Sequence, residues 1–247
     1  MNLFQKSGVA GLLFLVFGPL LQAQKIYQLQ WRAEIPITGL SLASGISALA
    51  IQKHVKPITP AELALQQRSD LWSIDRPSVY WLSDKAGRAS NIVLHVATAA
   101  PLLLLADRNI RKEAGTVSVL YLEAFVLNGT LTQLTKNLVK RSRPYTYNPD
   151  FPLDLKQHLD ARKSFFSGHT SSTAASCFFA AKVWSDFHPG NKWKPVVWGV
   201  SAMIPAVTGY LRMRAGQHFF TDVAIGYAVG ATIGYLIPVL HHSGRFH

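Results

Sequence analysis

Three short polar runs in this chain of 247 residues hold side chains that can act on an anion. The first is Lys136-Asn-Leu-Val-Lys-Arg-Ser-Arg143-Pro144. Arg143 follows Lys136 by seven residues, about two helical turns, so both cations can reach one anion if the helix continues to the proline. Taken alone, a basic run at the end of an apolar segment also fits the flank of a membrane helix.

The second run, Ser164-Phe-Phe-Ser167-Gly168-His169, opens another apolar segment. Ser167 and Gly168 predict a helix N-cap with free backbone N–H groups, and such a helix start binds phosphate through those groups and its dipole. His169 would then lie beside the phosphate. An ordinary cap followed by a buried histidine fits this run alone equally well.

The third run is Arg212-Met-Arg-Ala-Gly-Gln-His218-Phe-Phe-Thr-Asp222. His218 and Asp222 share one face of a helix, so the carboxylate can hold one ring nitrogen while the other faces a substrate. That arrangement suits an oriented nucleophile or base, although an isolated pair of this kind is usually structural.

The histidines do not indicate a metal site. His169 and His218 both lack the accompanying ligands and spacing of a zinc site, so we expect no metal. The histidines at 241, 242 and 247 are interpreted as a solvated tail.

The composition indicates which elements carry these runs. Apolar residues make up 49% of the chain and charged residues 15%, whereas soluble domains carry roughly 25% charged residues. A bilayer core of about 30 Å needs roughly 20 helical residues, and small residues in Ala224 to Gly234 permit close helix packing. We expect an all-α, membrane-embedded bundle of about six helices. Its spanning candidates are about Ile35 to Ile51, Asn91 to Ala106, Thr116 to Thr135, Gly168 to Trp184, Pro195 to Leu211 and Asp222 to Leu240.

The remaining segments and the charge set further expectations. Residues 1–23 are predicted to be a signal peptide, with an uncleaved N-terminal anchor as the alternative. His54 to Ser90 is predicted to be an amphipathic interfacial piece. The net charge of +12 comes partly from cations that border apolar segments, which favours a phosphate pocket over a nucleic-acid surface.

The three runs together, in this order, resemble the signature of the type 2 phosphatidic acid phosphatase superfamily, in particular its membrane branch. The resemblance covers Lys136 to Asp222, and the N-terminal third contributes nothing diagnostic. Two residues depart from the pattern: Phe166 stands where the family usually has proline, and Leu211 where a serine usually precedes the arginine. Neither position supplies a required catalytic group.

The resemblance implies a role for each matching residue. His218 would be the nucleophile that forms a phosphohistidine, Asp222 would orient it, and His169 would protonate the leaving oxygen. Lys136, Arg143 and Arg212, with Ser167 and Gly168, would bind the phosphate, and no metal or cofactor would be needed. The implied protein is a single phosphatase domain, residues 24–247, with its catalytic motifs in 136–222.

The implied reaction is hydrolysis of a phosphate monoester or diphosphate on a membrane lipid of the phosphatidate, isoprenyl diphosphate or lipid A type. A secreted, soluble acid phosphatase of broad specificity remains an alternative, and a vanadate-dependent haloperoxidase ranks third. Outside enzymes, a membrane scaffold or transporter could retain the basic runs as flanking charge. The sequence leaves the oligomeric state open.

The expected location is a bacterial-type cell membrane, crossed several times, with the catalytic site at one membrane face. The opposite face would carry a set of cations that favours a cytoplasmic location for that face: Arg108, Arg111, Lys112, Lys192, Lys194 and Arg245. A cleaved signal peptide followed by a spanning Ile35 to Ile51 segment would instead place the site in the cytoplasm, whereas the same segment, if it does not cross, would place the site in the periplasm. We expect a site that faces the periplasm.

Overall fold

The computed structural model describes residues 25–245, so the predicted signal peptide lies outside the described residues. Within them, the regular structure is helical apart from one bridge between Tyr27 and His242. The helices are α1 (Trp31–Gln52), α2 (Pro60–Leu65), α3 (Asp84–Ala99), α4 (Arg108–Lys112), α5 (Ala114–Val139), α6 (Leu153–Lys156), α7 (Gly168–Phe187), α8 (Lys194–Arg214) and α9 (Phe220–Leu240). The all-α bundle expected from the sequence is confirmed.

The six long helices run alternately between two ends of the bundle. At one end, here called the site end, Asn137 near the end of α5 donates to the carbonyl of Ala48 near the end of α1, 2.8 Å away. At the opposite end, here called the far end, the backbone N–H of Gln28 donates to the carbonyl of His241, 2.9 Å away. Helix α1 therefore runs the full length of the bundle beside α5, as the prediction of a spanning first segment requires.

Five helices of the described chain are long and apolar enough to cross a membrane: Trp31–Gln52, Asp84–Ala106, Ala114–Tyr147, Lys194–Arg214 and Phe220–Leu240. The predicted fourth span is different. Helix α7 has a similar length but is rich in serine, threonine and alanine, and most of its side chains are buried. It packs against α3, α5, α8 and α9, so its own surface need not be apolar enough to face lipid. It is the central helix of the bundle.

Helices α7 and α9 pack backbone to backbone. A Cβ atom added at Gly226, Gly230 or Gly234 would run into the carbonyl oxygens of Ser167, Ser171 and Ala175, respectively. The three glycines are spaced by four residues and therefore line one face of α9. The close packing predicted from the small residues of this segment is present, and it brings the start of α7 next to the start of α9.

The segment from residue 53 to 83 lies at the site end as short turns of helix. Leu65, Trp72, Ile74 and Tyr80 are all more than half exposed there. Exposed apolar and aromatic side chains at the end of a membrane bundle suit the headgroup region. The structure is consistent with an interfacial role for residues 54–83, whereas residues 84–90 of the predicted segment belong to α3.

The segment directly after α9 differs from the solvated tail that we expected, and His247 lies outside the described residues. His241 is fully buried, and its ring lies between Glu34 of α1 and Glu123 of α5. The chain entering α1 pairs with the segment after α9, since Ser243 donates its backbone N–H to the carbonyl of Ile26 at 3.0 Å. The prediction for His241 was wrong because a histidine that follows an apolar helix carries no local sign of a partner about two hundred residues earlier.

Candidate active site

All three polar runs meet at the site end, where α5 and α8 end and α7 and α9 begin. The eight residues singled out from the sequence therefore lie in one region. Six of them are buried, and Gly168 and His169 are partly buried: the set is Lys136, Arg143, Ser167, Gly168, His169, Arg212, His218 and Asp222. The packing of α7 against α9 and of α5 against α7 produces this convergence from positions up to 86 residues apart in sequence.

The ring of His218 is oriented by a backbone carbonyl. Its Nδ1 lies 2.7 Å from the carbonyl oxygen of Ser164 and 3.8 Å from Oδ2 of Asp222. A carbonyl oxygen only accepts, so Nδ1 carries the proton and Nε2 keeps its lone pair. The ring has the tautomer that a nucleophile needs. The direct Asp222–Nδ1 hydrogen bond expected from the four-residue spacing is replaced by the bond to Ser164.

Asp222 instead organises the residues around His218. Its Oδ2 accepts from the hydroxyl of Ser164 at 2.5 Å and from the backbone N–H of Phe219 at 2.9 Å. Its Oδ1 pairs with Arg141 at 2.5 Å. One carboxylate thus holds the residue whose carbonyl orients the histidine and also caps the start of α9. Asp222 acts on His218 through Ser164.

A second buried carboxylate, Asp75, completes this network. Its Oδ2 pairs with Arg141 at 2.8 Å and accepts from the hydroxyl of Thr221 at 2.8 Å. Its Oδ1 accepts from the backbone N–H of Thr221 at 3.0 Å. Asp75 is fully buried and comes from the N-terminal third of the chain, where the sequence analysis found nothing diagnostic. It was missed because its partners are 66 and 146 residues away.

Two arginines share one acceptor. Gln217 Oε1 accepts hydrogen bonds from Arg143 and, at 3.5 Å, from Arg212. Arg212 also points at Ser90 Oγ at 3.4 Å, and its buried Nε has no hydrogen-bond partner. Guanidinium groups that converge on one oxygen match the geometry of phosphate recognition. The side-chain amide oxygen of Gln217 thus lies between the two guanidinium groups.

The other cation, Lys136, donates from Nζ to the backbone carbonyl of Lys163 at 2.5 Å. The side chain of Lys136 lies beside the start of α7. A Cβ atom added at Gly168 would lie 3.8 Å from Cε of Lys136 and 3.2 Å from Cγ2 of Thr132. The side chain of Ser167 caps α7 by accepting from the backbone N–H of Thr170 at 3.4 Å. The predicted N-cap is therefore present, with a lysine close to the first turn.

His169 occupies the first turn of α7 and is partly exposed. Its Nε2 lies 2.8 Å from Oδ1 of Asn91 on α3, a contact that sets the ring orientation. Asn91 was not identified from the sequence, where it only marked the start of an apolar segment. Helix α3 thus contributes to the site through Asn91 and Ser90.

The protonation state of His218 follows from its surroundings. Burial lowers the pKa of His218 well below its ordinary value of 6.5, and the positive charges of Lys136, Arg143 and Arg212 lower it further. The imidazole is therefore neutral near pH 7, with the Nε2 lone pair available. A buried neutral histidine among cations is suited to attack an anionic phosphorus centre, whose charge those cations offset.

Fold and site together define a class: a multi-pass α-helical membrane protein with a buried histidine among buried cations. The family model of the PAP2 superfamily matches residues 117–245, about half of the chain. The chain belongs to the PAP2 superfamily. The family resemblance drawn from the three polar runs is confirmed.

Two relatives illustrate the range of the similarity. The lipid A 4'-phosphatase of Porphyromonas gingivalis is 26% identical over 133 residues, which are 52% of this chain and 52% of that protein. The chain thus spans about half the length of this curated relative. The solved structure of a transmembrane PAP2 type phosphatidylglycerolphosphate phosphatase from Bacillus subtilis is 22% identical, with a TM-score of 0.48 over 83% of this chain and 96% of that one.

Proposed function

We propose that this protein hydrolyses a phosphate monoester or diphosphate on a membrane lipid through a phosphohistidine at His218. The observation that carries the proposal is the bond from His218 Nδ1 to the Ser164 carbonyl, which leaves Nε2 as a lone pair beside three cations. Membership of the PAP2 superfamily supports the phosphatase class. The lipid A 4'-phosphatase relative supports a lipid substrate.

In the first step, Nε2 of His218 forms a bond to phosphorus while the bond from phosphorus to the leaving oxygen breaks. His169, which must be in its imidazolium form at this point, donates a proton to that oxygen and becomes neutral. Arg143, Arg212 and Lys136 then hold the equatorial oxygens, whose charge must be balanced in phosphoryl transfer. In the second step a water gives its proton to His169 and attacks phosphorus, the bond to Nε2 breaks, and inorganic phosphate is released.

A groove beside the site suits an apolar substrate. Its volume is about 640 Å³, and its lining combines Leu71, Trp72, Phe165 and Ile225 with the polar groups of Arg141 and Thr221. The groove borders the same Arg141 that pairs with Asp222. Such an apolar surface favours a lipid over a small soluble ester. The five candidate spans favour a membrane enzyme over a secreted soluble phosphatase.

The catalytic test compares His218→Ala with His54→Ala, which changes an exposed histidine at the site end. We expect the wild type and the His54 variant to release phosphate from lipid phosphates in detergent with EDTA in the assay. The His218 variant should lose at least about 10³-fold in kcat, because the nucleophile is removed. Radiolabel from the substrate phosphate should be trapped on wild-type protein and absent from the His218 variant. Full activity without His218 would refute the mechanism.

We also propose that the catalytic site faces the periplasm. Two short loops at the far end carry a dense set of cations, Arg108, Arg111, Lys112, Lys192 and Lys194, which favours a cytoplasmic far end. The site end also carries cations, in residues 53–88, 136–163 and 212–214, and several of them belong to the candidate site. Because α1 crosses the bundle, this orientation requires residue 25 to lie in the cytoplasm.

A further inference from the structure

Three potential metal ligands meet at the far end of the bundle, away from the phosphate site. They are Glu34 in the first turn of α1, Glu123 in α5 and His241 immediately after α9. One ligand atom from each lies within 4.8 Å of the other two. Helix α9 has 21 residues, so the cluster is about 30 Å from His218 at the helical rise of ~1.5 Å per residue. It plays no part in the reaction proposed above.

The neutral ring of His241 carries its proton on Nδ1, whereas the atom that faces the two carboxylates is Nε2. Its Nδ1 lies 2.8 Å from the carbonyl oxygen of Ile237, which can only accept, so Nδ1 carries the hydrogen. In the neutral ring, Nε2 is then a bare lone pair. That lone pair points at Oε1 of Glu34, 3.1 Å away, and at Oε2 of Glu123, 3.6 Å away. In that tautomer three acceptors face one another, so the cluster needs either one further proton or a bound cation between them.

The charge of the cluster is also uncompensated by the protein. The Oε2 atom of Glu123 is buried and has no hydrogen-bond partner. Among residues 25–245, no lysine or arginine forms an ion pair with Glu34 or Glu123. The ring of His241 is fully buried, and the Glu123 side chain is 11% exposed. Two carboxylates in apolar spanning helices are costly without a counterion.

We propose that Glu34, Glu123 and His241 bind one divalent cation of the zinc class. An imidazole nitrogen and two carboxylate oxygens are ligands that zinc accepts. The bond from Nδ1 to a backbone carbonyl is the contact that usually orients a ligating histidine. One divalent ion balances the two carboxylates. The Glu34 side chain is 28% exposed, so the ion has a route from the surface and a position for water.

The site would fasten the first long helix to the last. Helices α1 and α9 contribute ligands, and α5 lies between them and packs against both. The ion would add to the backbone pairing of the segments around Tyr27 and His242. Its role is therefore in the stability of the far end, and it is independent of the phosphatase proposal.

The test uses the untagged full chain in detergent, stripped of metal with a chelator and then equilibrated with Zn²⁺. We expect one zinc per chain by elemental analysis and a higher unfolding temperature with zinc than without it. Glu123→Gln and His241→Gln should bind zinc at least about 10-fold more weakly and lose the thermal shift. His242→Gln, which changes the neighbouring and more exposed histidine, should behave as wild type. A helical circular dichroism spectrum equal to that of the wild type shows that a variant is folded.

Two further measurements keep the test decisive. Glu34→Gln changes the most exposed ligand, so it should fold and still bind zinc more weakly. X-ray absorption on zinc-loaded wild type should show one imidazole among oxygen ligands. Absence of stoichiometric zinc in the wild type would overturn the proposal and leave an imidazolium between the carboxylates. Zinc binding unchanged in all three ligand variants would also overturn it, because the ion would then lie elsewhere.

Discussion

His218 receives its orientation from a chain of contacts. Ser164 supplies the carbonyl that binds Nδ1, and Asp222 binds the hydroxyl of the same serine. Arg141 then joins Asp222 to Asp75, at 2.5 and 2.8 Å. The charges alternate from Asp222 through Arg141 to Asp75, so removing any one of these three leaves a charged neighbour without one of its partners. The orientation of His218 therefore depends on Arg141 and Asp75 as well as on the residues that contact its ring.

Asp75 is predicted to be a positioning residue. Asp75→Asn should lower kcat by roughly 10- to 100-fold, since a buried hydrogen bond to a charged group is worth about 1.5–3 kcal/mol, and should change KM little. The measurement is steady-state kinetics on a lipid phosphate. Asp154→Asn is the matched control because Asp154 is exposed and lies outside the network. A change confined to thermal stability, with kcat intact, would show that Asp75 serves only the fold.

The pH dependence of catalysis should reflect the lowered pKa of His218. The neutral ring is the active form, so activity falls as pH drops through that pKa. Burial and three cations hold the pKa of His218 well below 6.5. Protonation of His218 should therefore not lower kcat/KM as the pH falls from 7 to 6. Lys136→Met removes one positive charge and should move the acid limb to higher pH. An acid limb at or above pH 6.5 in the wild type would contradict this assignment.

At the scale of elements, the contact of α7 with α9 positions the site. The backbone of α9 lies directly against α7 at Gly226, Gly230 and Gly234. This contact brings the cap of α7, with Ser167, next to Asp222 in the first turn of α9, and Ser167 donates its N–H to the Asp222 carbonyl at 3.0 Å. Small residues at a helix interface allow the backbone approach on which this geometry depends.

Gly230→Ala tests the importance of this contact. The added Cβ would overlap the carbonyl of Ser171, so the helices must separate. Overpacking of this kind costs about 1–3 kcal/mol. We expect a clear fall in unfolding temperature in detergent and a fall in activity. Gly199→Ala on α8 is the control because its added Cβ meets no atom within 4 Å. Equal stability of the two variants would mean that α7 and α9 are free to move apart.

At the scale of the whole molecule, the bundle has a site end and a far end, and orientation in the membrane decides which compartment holds the substrate phosphate. A reporter fused after His247 reads the location of the far end, because α9 ends there at Leu240. A cytoplasmic reporter is expected if the catalytic site faces the periplasm. A second fusion in the loop around Asp150, at the site end, should give the opposite signal. A periplasmic signal from the C-terminal fusion would reverse the orientation.

The helices of the bundle differ in how well local sequence patterns predicted them. The apolar segments predicted the long helices because hydrophobic length is a local property. The exception was α7, which the sequence presented as another spanning segment. In the structure α7 is the central helix, surrounded by α3, α5, α8 and α9. Segment composition alone does not distinguish a helix that faces lipid from one that faces other helices.

By itself, the sequence determined the family, the helical bundle and the eight candidate residues, since all of these follow from residue types at short spacings. Only the tertiary structure decided how His218 is held, why Asp75 belongs to the network and that His241 is buried. Each of those features joins residues far apart in the chain: 54 residues separate His218 from Ser164, 146 separate Thr221 from Asp75, and 207 separate His241 from Glu34. Such pairs are set by helix packing, which local periodicity does not encode.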